Sequence, residues 1–256
     1  MNKQEVTRIY NEYERKGSTL GGYTKVVTPE LVKFVSDTQY GSFISFFELN
    51  DENIDSAIER EISYFTERDL SFEWKVYDTD LPISIDKKLI SHGFEKGESE
   101  SFMALSLNDL SMMDVDNDAC VEVSDEQGIK DAISIQEQVW GGDFSGQLAQ
   151  LINAKKAAPD DLTIYVIYEN DLPVASGWIV YTRNSPFAGI WGGSTLKEYR
   201  SKGYYSALLH KRINDAIKRD IQYLIIDASD MSKPIVEQYG FQFIAKTTPY
   251  TLRTKI

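Results

Sequence analysis

The sequence predicts an α/β protein in an α+β layout: a mixed, mostly antiparallel sheet flanked by helices, built as two tandem domains, 1–118 and 119–256. Three observations predict it. In the second half, β-type runs joined by tight-turn residues give way to one strand, helix, strand crossover, which sets a parallel pair inside an otherwise antiparallel sheet. The order strand, short helix, Gly-Phe, strand occurs twice, first over 71–107 and again from residue 221 onward, as an internal duplication would produce. The charge is also divided unevenly: residues 1–118 hold 12 basic and 24 acidic side chains, residues 119–256 hold 15 and 16.

In chain order, residues 43–50 run into the acidic turn Asp51-Glu52-Asn53-Ile54-Asp55, and a helix is expected over 52–67. A strand follows at 71–80, a short helix from Lys87, Gly93-Phe94, and a strand at 101–107. Residues 108–118 are rich in Asp and Asn, have turn chemistry and are the expected linker. Beyond it come a strand at 120–123 and a helix at 125–139, on which Ile129, Ala132, Ile133, Gln136 and Trp140 share helical spacing. Gly141 and Gly142 break that helix, and another runs over 147–157 before Pro159. Strands at 162–168 and 174–181 flank Asn170-Asp171, a pair suited to a hairpin turn. A strand at 188–196, a helix at 205–219, a strand at 223–227, a short helix at 234–238 and a last strand pair from Phe241 complete the chain.

Composition narrows the function. A formal charge of -13 and a pI near 4.7 lack the basic footprint that nucleic-acid binding requires, so no nucleic-acid partner is expected. Cys120 is the single cysteine, which excludes an intramolecular disulfide and a thiolate-rich zinc site. His92 and His210 are the only histidines, too few and too far apart for a His-based site, so no metal is expected. No apolar run reaches the roughly 18–20 residues that span a bilayer, and the N-terminus is polar; a cytoplasmic protein without a membrane partner is expected.

The chemistry concentrates at the start of the crossover, in Thr195-Leu196-Lys197-Glu198-Tyr199-Arg200-Ser201-Lys202-Gly203-Tyr204-Tyr205-Ser206. A strand ends, a turn rich in Lys, Arg, Ser and Gly follows, and an amphipathic helix begins with Leu209, Ile213, Ala216 and Ile217 on one face. Its first amides have no intrahelical partner, and the helix dipole adds partial positive charge there. Such a terminus favours phosphate or pyrophosphate, with Gly203 permitting close backbone approach and Arg200 and Lys202 offering cationic donors. An ordinary strand-to-helix turn with solvated basic residues is the plainer alternative.

The run Arg200-Ser201-Lys202-Gly203-Tyr204-Tyr205 resembles the acyl-CoA pyrophosphate loop, Q/R-x-x-G-x-G/A, of the GNAT superfamily of N-acyltransferases. The segment from Ser232 to Phe241 is similar to that family's second signature, a short helix ending in a hydrophobic residue, Gly and Phe. The resemblance covers residues 119–256 as a full domain and implies that Gly193, Ser194 and Thr195 form the strand edge that pairs with the pantetheine arm of acetyl-CoA. It further implies that amides of Ser201, Lys202, Gly203, Tyr204, Tyr205 and Ser206 hold the pyrophosphate, that Arg200 contacts phosphate, and that Ser229 meets the pantetheine arm. Two residues depart from the pattern. Tyr205 replaces a second small residue of the loop, and Val236 stands where many members carry a Tyr that protonates the leaving thiolate.

The resemblance implies direct attack of an amine on the thioester in a ternary complex, with strand-edge amides near Thr195 polarising the carbonyl. A CoA thiolate is a good enough leaving group to depart without strong protonation. Asp143, Asp227 or a water chain are the candidates for taking the amine proton, and none has a spacing argument. Cys120, in an apolar strand with no His near it in sequence, is expected in the core.

The first half has no Arg-x-x-Gly loop before its helix, and its acidic turn repels phosphate. It is expected to be a degenerate copy that binds no CoA and serves the fold, the acceptor cleft or a homodimer contact. If it borders that cleft, its excess acid concentrates a cationic amine. The acceptor class stays open among polyamine, aminoglycoside, amino acid and peptide N-terminus. Two rival readings stand beside the N-acetyltransferase: a non-catalytic acyl-CoA-binding or regulatory module, and an oligomerising scaffold without a ligand.

Overall fold

The computed structural model describes residues 1–39, 41–108, 110–112 and 119–254. In chain order it contains α1 (Lys3–Tyr10), a π-helical turn (Asn11–Lys16), β1 (Tyr23–Val27), β2 (Leu31–Ser36), β3 (Ser42–Phe47), α2 (Ile54–Thr66), β4 (Phe72–Tyr77), α3 (Ile85–Ser91), β5 (Glu95–Lys96) and β6 (Glu100–Ser106). These are followed by β7 (Cys120–Val123), α4 (Glu126–Trp140), α5 (Ser145–Ala157), β8 (Leu162–Glu169), β9 (Leu172–Tyr181), β10 (Phe187–Thr195), a 3-10 turn (Lys197–Tyr199), α6 (Tyr204–Lys218), β11 (Tyr223–Ala228), α7 (Lys233–Gln238) and β12 (Gln242–Leu252). No helix among the described residues is long and apolar enough to cross a membrane.

Two compact units result, and they are interleaved in sequence: Met1–Met103 together with Asp227–Ile256, and Ala104–Ile226. The expected linker at 108–118 falls largely outside the described residues. The interleaving has one physical origin. Where a closing pair of strands is expected after Phe241, the chain makes a single strand, β12, and β12 pairs antiparallel with β4 from Thr247↔Tyr77 to Leu252↔Phe72. The partner of this strand lies some 170 residues away, beyond what local pattern can specify.

In the first unit β1, β2 and β3 form an antiparallel meander, and β3 runs parallel to β4 through Ser42↔Phe72, Phe43↔Glu73 and Ile44↔Trp74, with α2 as the crossover. The core is aromatic: Phe65 stacks on Phe72 at 4.1 Å, and Trp74 packs among Phe47, Phe94, Ile44 and Ile58. Glu73, Lys75, Glu100 and Asp227 also belong to this unit, and the Lys75 ammonium donates to Asp227. Burial first, and then the negative field of Asp227, pushes the Glu100 carboxyl up to about 7, against the opposing pull of Lys75. A carboxyl whose folded pKa lies above its unfolded value of about 4.3 costs stability as pH rises from about 4.5 through 7. Glu100→Gln is therefore expected to raise Tm at pH 8 by a few degrees, for a partly exposed group worth about 1 kcal/mol, and to leave Tm at pH 4.5 unchanged. An equal gain at both pH values in a thermal melt would refute that account.

In the second unit the order is β11-β10-β9-β8-β7, antiparallel except for β10 and β11. The β8–β9 hairpin turns at Asn170 and Asp171, whose φ values of 52° and 63° are those of the tight turn that the Asn-Asp pair favours. One face of the sheet carries α4, whose Ile129, Ala132, Ile133 and Ile135 pack with Ile164, Val166 and Trp178. Asp125 caps α4 by accepting from the Gly128 amide at 2.9 Å. The other face carries α6, with Leu208 against Tyr165, Val174 and Ala175.

Candidate functional site

β10 and β11 pair through only three registers, Phe187↔Tyr223, Ala188↔Leu224 and Gly189↔Ile225. β10 then continues alone on that side from Ile190 to Thr195, so a stretch of strand edge is left without its parallel neighbour. Its opposite edge is irregular. Trp191 faces Trp178 and Ser194 faces Ser176, so Gly192 and Gly193 together stand opposite the single Gly177 of β9. This is a β-bulge, a feature that re-aims backbone and side chains at a sheet edge. Gly192 has φ +60°, and a Cβ there would lie 1.9 Å from the Trp178 ring. Only glycine satisfies both conditions.

Beyond the strand, the chain makes the 3-10 turn and enters α6 through two residues of positive φ, Ser201 at 63° and Gly203 at 85°. Gly203 is the N-cap of α6 and has no side chain to accept from the first-turn amides; the first turn holds no acidic residue. Nothing lies within 4 Å of where a Cβ on Gly203 would be, so the approach to these amides is open. A left-handed turn leading into a helix N-terminus forms an anion-binding concavity with the positive end of the helix dipole behind it.

The predicted residues are brought together in part. Gly193, Ser194 and Thr195 occupy the free end of β10; Ser201, Lys202, Gly203, Tyr204, Tyr205 and Ser206 form the loop and first turn of α6. The exposed Arg200 folds back, its Nε donating to the Thr195 carbonyl at 3.3 Å. Lys202 forms an ion pair with Glu169 at 3.1 Å, and the Tyr204 hydroxyl donates to the same carboxylate, so both flank the loop on the β8 side. Tyr205, the departure from a small residue, is accommodated by another: its ring would lie 2.9 Å from a Cβ on Gly193, which has none. Ser229 belongs to the first unit, where its hydroxyl lies 3.2 Å from that of Ser232 and accepts from the Ser232 amide.

The proton-transfer candidates fare differently. Asp143 is exposed, and its hydrogen bond from the Ser145 amide holds its carboxyl below the usual range, which suits a turn residue more than a base. Asp227 lies in the first unit, nearly buried and paired with Lys75. Val236 is fully buried in α7 and has no proton to give. Burial pushes the Cys120 thiol up to about 11, which removes it as a nucleophile. No group of three or more metal-ligating side chains occurs among the described residues.

Sequence reasoning did not assign a role to Gln136. It is buried on the inner face of α4, where its Nε2 donates to the Gly192 carbonyl at 2.6 Å and to Ser176 Oγ at 3.1 Å, while its Oε1 accepts from Ser194 Oγ at 3.0 Å. Trp140 Nε1 donates to the same Ser194 hydroxyl at 3.0 Å although the ring is half exposed. A glutamine in the apolar stripe of a helix was the available signal.

The parallel pair of the first unit offers the same opening, and there it is filled. Beyond Ile44↔Trp74, Arg15 of the π-helical turn inserts: its Nε donates to the Ser45 carbonyl at 2.7 Å, and Nη1 and Nη2 reach the two Asp80 oxygens at 2.7 and 2.8 Å. The guanidinium lies 4.3 Å from the Tyr77 ring centroid, and Ser45 Oγ donates back to the Arg15 carbonyl. At the start of α2, Asn50 Oδ1 already accepts from the Glu52 and Asn53 amides, and Asp55 stands in the first turn. A phosphate would meet satisfied donors and a carboxylate.

No family model matches the sequence, and no curated protein matches it. Solved structures do. A GCN5-related N-acetyltransferase from Kribbella flavida superposes with a TM-score of 0.67 at 16% identity, over 90% of this chain and 89% of its own. One from Sphaerobacter thermophilus gives 0.60 at 14% identity, over 99% and 86%. A tandem GNAT protein from the clavulanic acid biosynthesis pathway gives 0.60 at 10% identity, over 93% and 86%.

Proposed function

From a chain that has the fold of the GCN5-related N-acetyltransferases in tandem, we propose an N-acetyltransferase that moves an acetyl group from acetyl-CoA to a primary amine by direct attack in a ternary complex. The observation that carries this reading is the open, glycine-capped entry to α6 beside a strand edge with no parallel neighbour. The loop amides from Ser201 to Ser206 would hold the pyrophosphate, and the free edge of β10 would receive the pantetheine arm, where the buried Thr195 Oγ1 has no hydrogen-bond partner. Strand-edge amides near Thr195 would hold the thioester carbonyl and take up the charge that develops on its oxygen, a contribution commonly worth about 3 kcal/mol per donor. The amine proton would leave through water, and the thiolate would depart unassisted, since Val236 offers no acid. The acceptor is proposed to be a small-molecule or peptide amine.

Calorimetric titration with acetyl-CoA, followed by a thiol-release assay across primary amines, tests the reading. Binding is expected with a stoichiometry of one acetyl-CoA per chain, because Arg15 occupies the corresponding opening of the first unit. Two equivalent sites would show that the Arg15 contact does not close that opening, and no binding would sink the acyl-CoA reading altogether. Binding without thiol release from any amine would favour the second reading, a non-catalytic acyl-CoA-binding module, for which the buried Val236 is the specific support.

A further inference from the structure

We infer that Gln136 is a positioning residue for acyl transfer: by holding both sides of the β10 bulge, it fixes the strand segment that meets the thioester. The inference rests on the proposed acetyltransferase reading and adds to it a residue on α4, away from the cofactor loop. The segment from Trp191 to Thr195 needs such a device. It has lost β11 on one side after Gly189↔Ile225, and on the other side Gly192 and Gly193 share one partner, so its ladder bonds are interrupted on both edges. Two successive glycines make it the most freely rotating stretch of the strand.

Gln136 replaces the missing bonds. One side-chain amide donates to the Gly192 carbonyl and accepts from the Ser194 hydroxyl, spanning the bulge, and its second N–H goes to Ser176 on the neighbouring strand. Ser176 Oγ in turn donates to the Ala132 carbonyl of α4 at 3.0 Å, so the clamp is referred back to the helix that carries it. A buried amide facing a carbonyl on one side and a hydroxyl on the other has a single satisfied orientation, which makes the clamp rigid. On the opposite sheet face, the buried Arg212 of α6 fits against the bare surfaces of Gly177 and Gly193, and its Nη1 donates to the Trp191 carbonyl at 3.3 Å. The bulge is thus gripped from α4 and from α6.

Misplacing reacting groups by as little as an ångström costs about a hundredfold in rate, whereas pyrophosphate binding depends on the loop and not on the bulge. Gln136→Met, which keeps volume and removes all three side-chain bonds, is therefore expected to lower kcat at least about tenfold while KM for acetyl-CoA changes less than about threefold. Hydrogen–deuterium exchange of a peptide covering 191–196 should rise by a similar factor, with β8 unchanged. Ser194→Ala, which removes one bond of the clamp and disturbs the core less, should give a smaller change in the same direction on both readouts and serves if the first variant folds poorly. Unchanged exchange over 191–196, or a kcat loss matched by an equal rise in KM, would overturn the inference. Failure of the underlying reading is recognised separately: unsubstituted protein would then release no thiol, while the exchange measurement would still decide whether Gln136 holds the bulge.

Discussion

Gly203→Asp is expected to abolish acetyl-CoA binding, with a loss of at least about a hundredfold in affinity, while the protein remains folded. The two halves of that expectation have different causes. Gly203 sits at φ +85° with open space around its missing Cβ, so an aspartate there meets no clash and suffers only the left-handed backbone, a cost of about 1 kcal/mol that Asp tolerates better than most residues. Its carboxylate would cap the first-turn amides of α6, satisfying the donors that the pyrophosphate needs and placing a negative charge where two more must bind. Gly203→Ala separates the two effects: it carries the backbone cost without the charge and is expected to bind within about tenfold of the unsubstituted protein. Titration calorimetry beside a thermal melt reads both quantities. Unchanged affinity in the aspartate variant would mean that the pyrophosphate does not use this loop.

Arg15→Met is expected to be the most destabilising single change in the first unit. The Asp80 side chain is 6% exposed and its two oxygens meet the two Arg15 nitrogens, so removing the guanidinium strands a buried carboxylate at a cost of about 3–5 kcal/mol. In a chain of this size, Tm should fall by about 10 °C. The double variant Arg15→Met/Asp80→Asn should recover part of that loss, because the amide oxygen can still accept from the Tyr77 backbone N–H, as Asp80 does at 2.9 Å, with no charge left unpaired. Additive losses in the double variant would show that Arg15 acts through packing on Tyr77 and Phe46 and not through the ion pair.

Sequence reasoning reached furthest where order is local. The helix ends, the Asn170-Asp171 turn, the apolar stripe of α6 and the Gly203 loop all depend on residues within a few positions of one another, and each falls within two or three residues of its expected place. It fell short where a partner is distant. Arg15 and Asp80 lie 65 positions apart, and no local rule marks one arginine in a polar N-terminal helix as the group that fills a gap between strands. The π-helical turn that presents it has no periodic signature of its own. Gln136 was visible as a polar residue in an apolar stripe, but its role depends on a bulge, and the bulge arises from a pairing register that two glycines permit but do not encode. Tyr205 looked like an obstacle until Gly193, a dozen residues earlier, supplied the space for its ring.

The pairing of β12 with β4 bears on how the chain comes to be folded as it is made. The second unit is a continuous stretch, 104–226, and can close as soon as it has been synthesised, whereas the first unit lacks a strand until residues 242–252 emerge. Until then β4 presents a bare hydrogen-bonding edge, open to mispairing while the rest of the chain is translated. The half that begins first is therefore completed last, and fragments cut at residue 118 would leave one piece with an unpaired edge and the other with a strand that has nowhere to go.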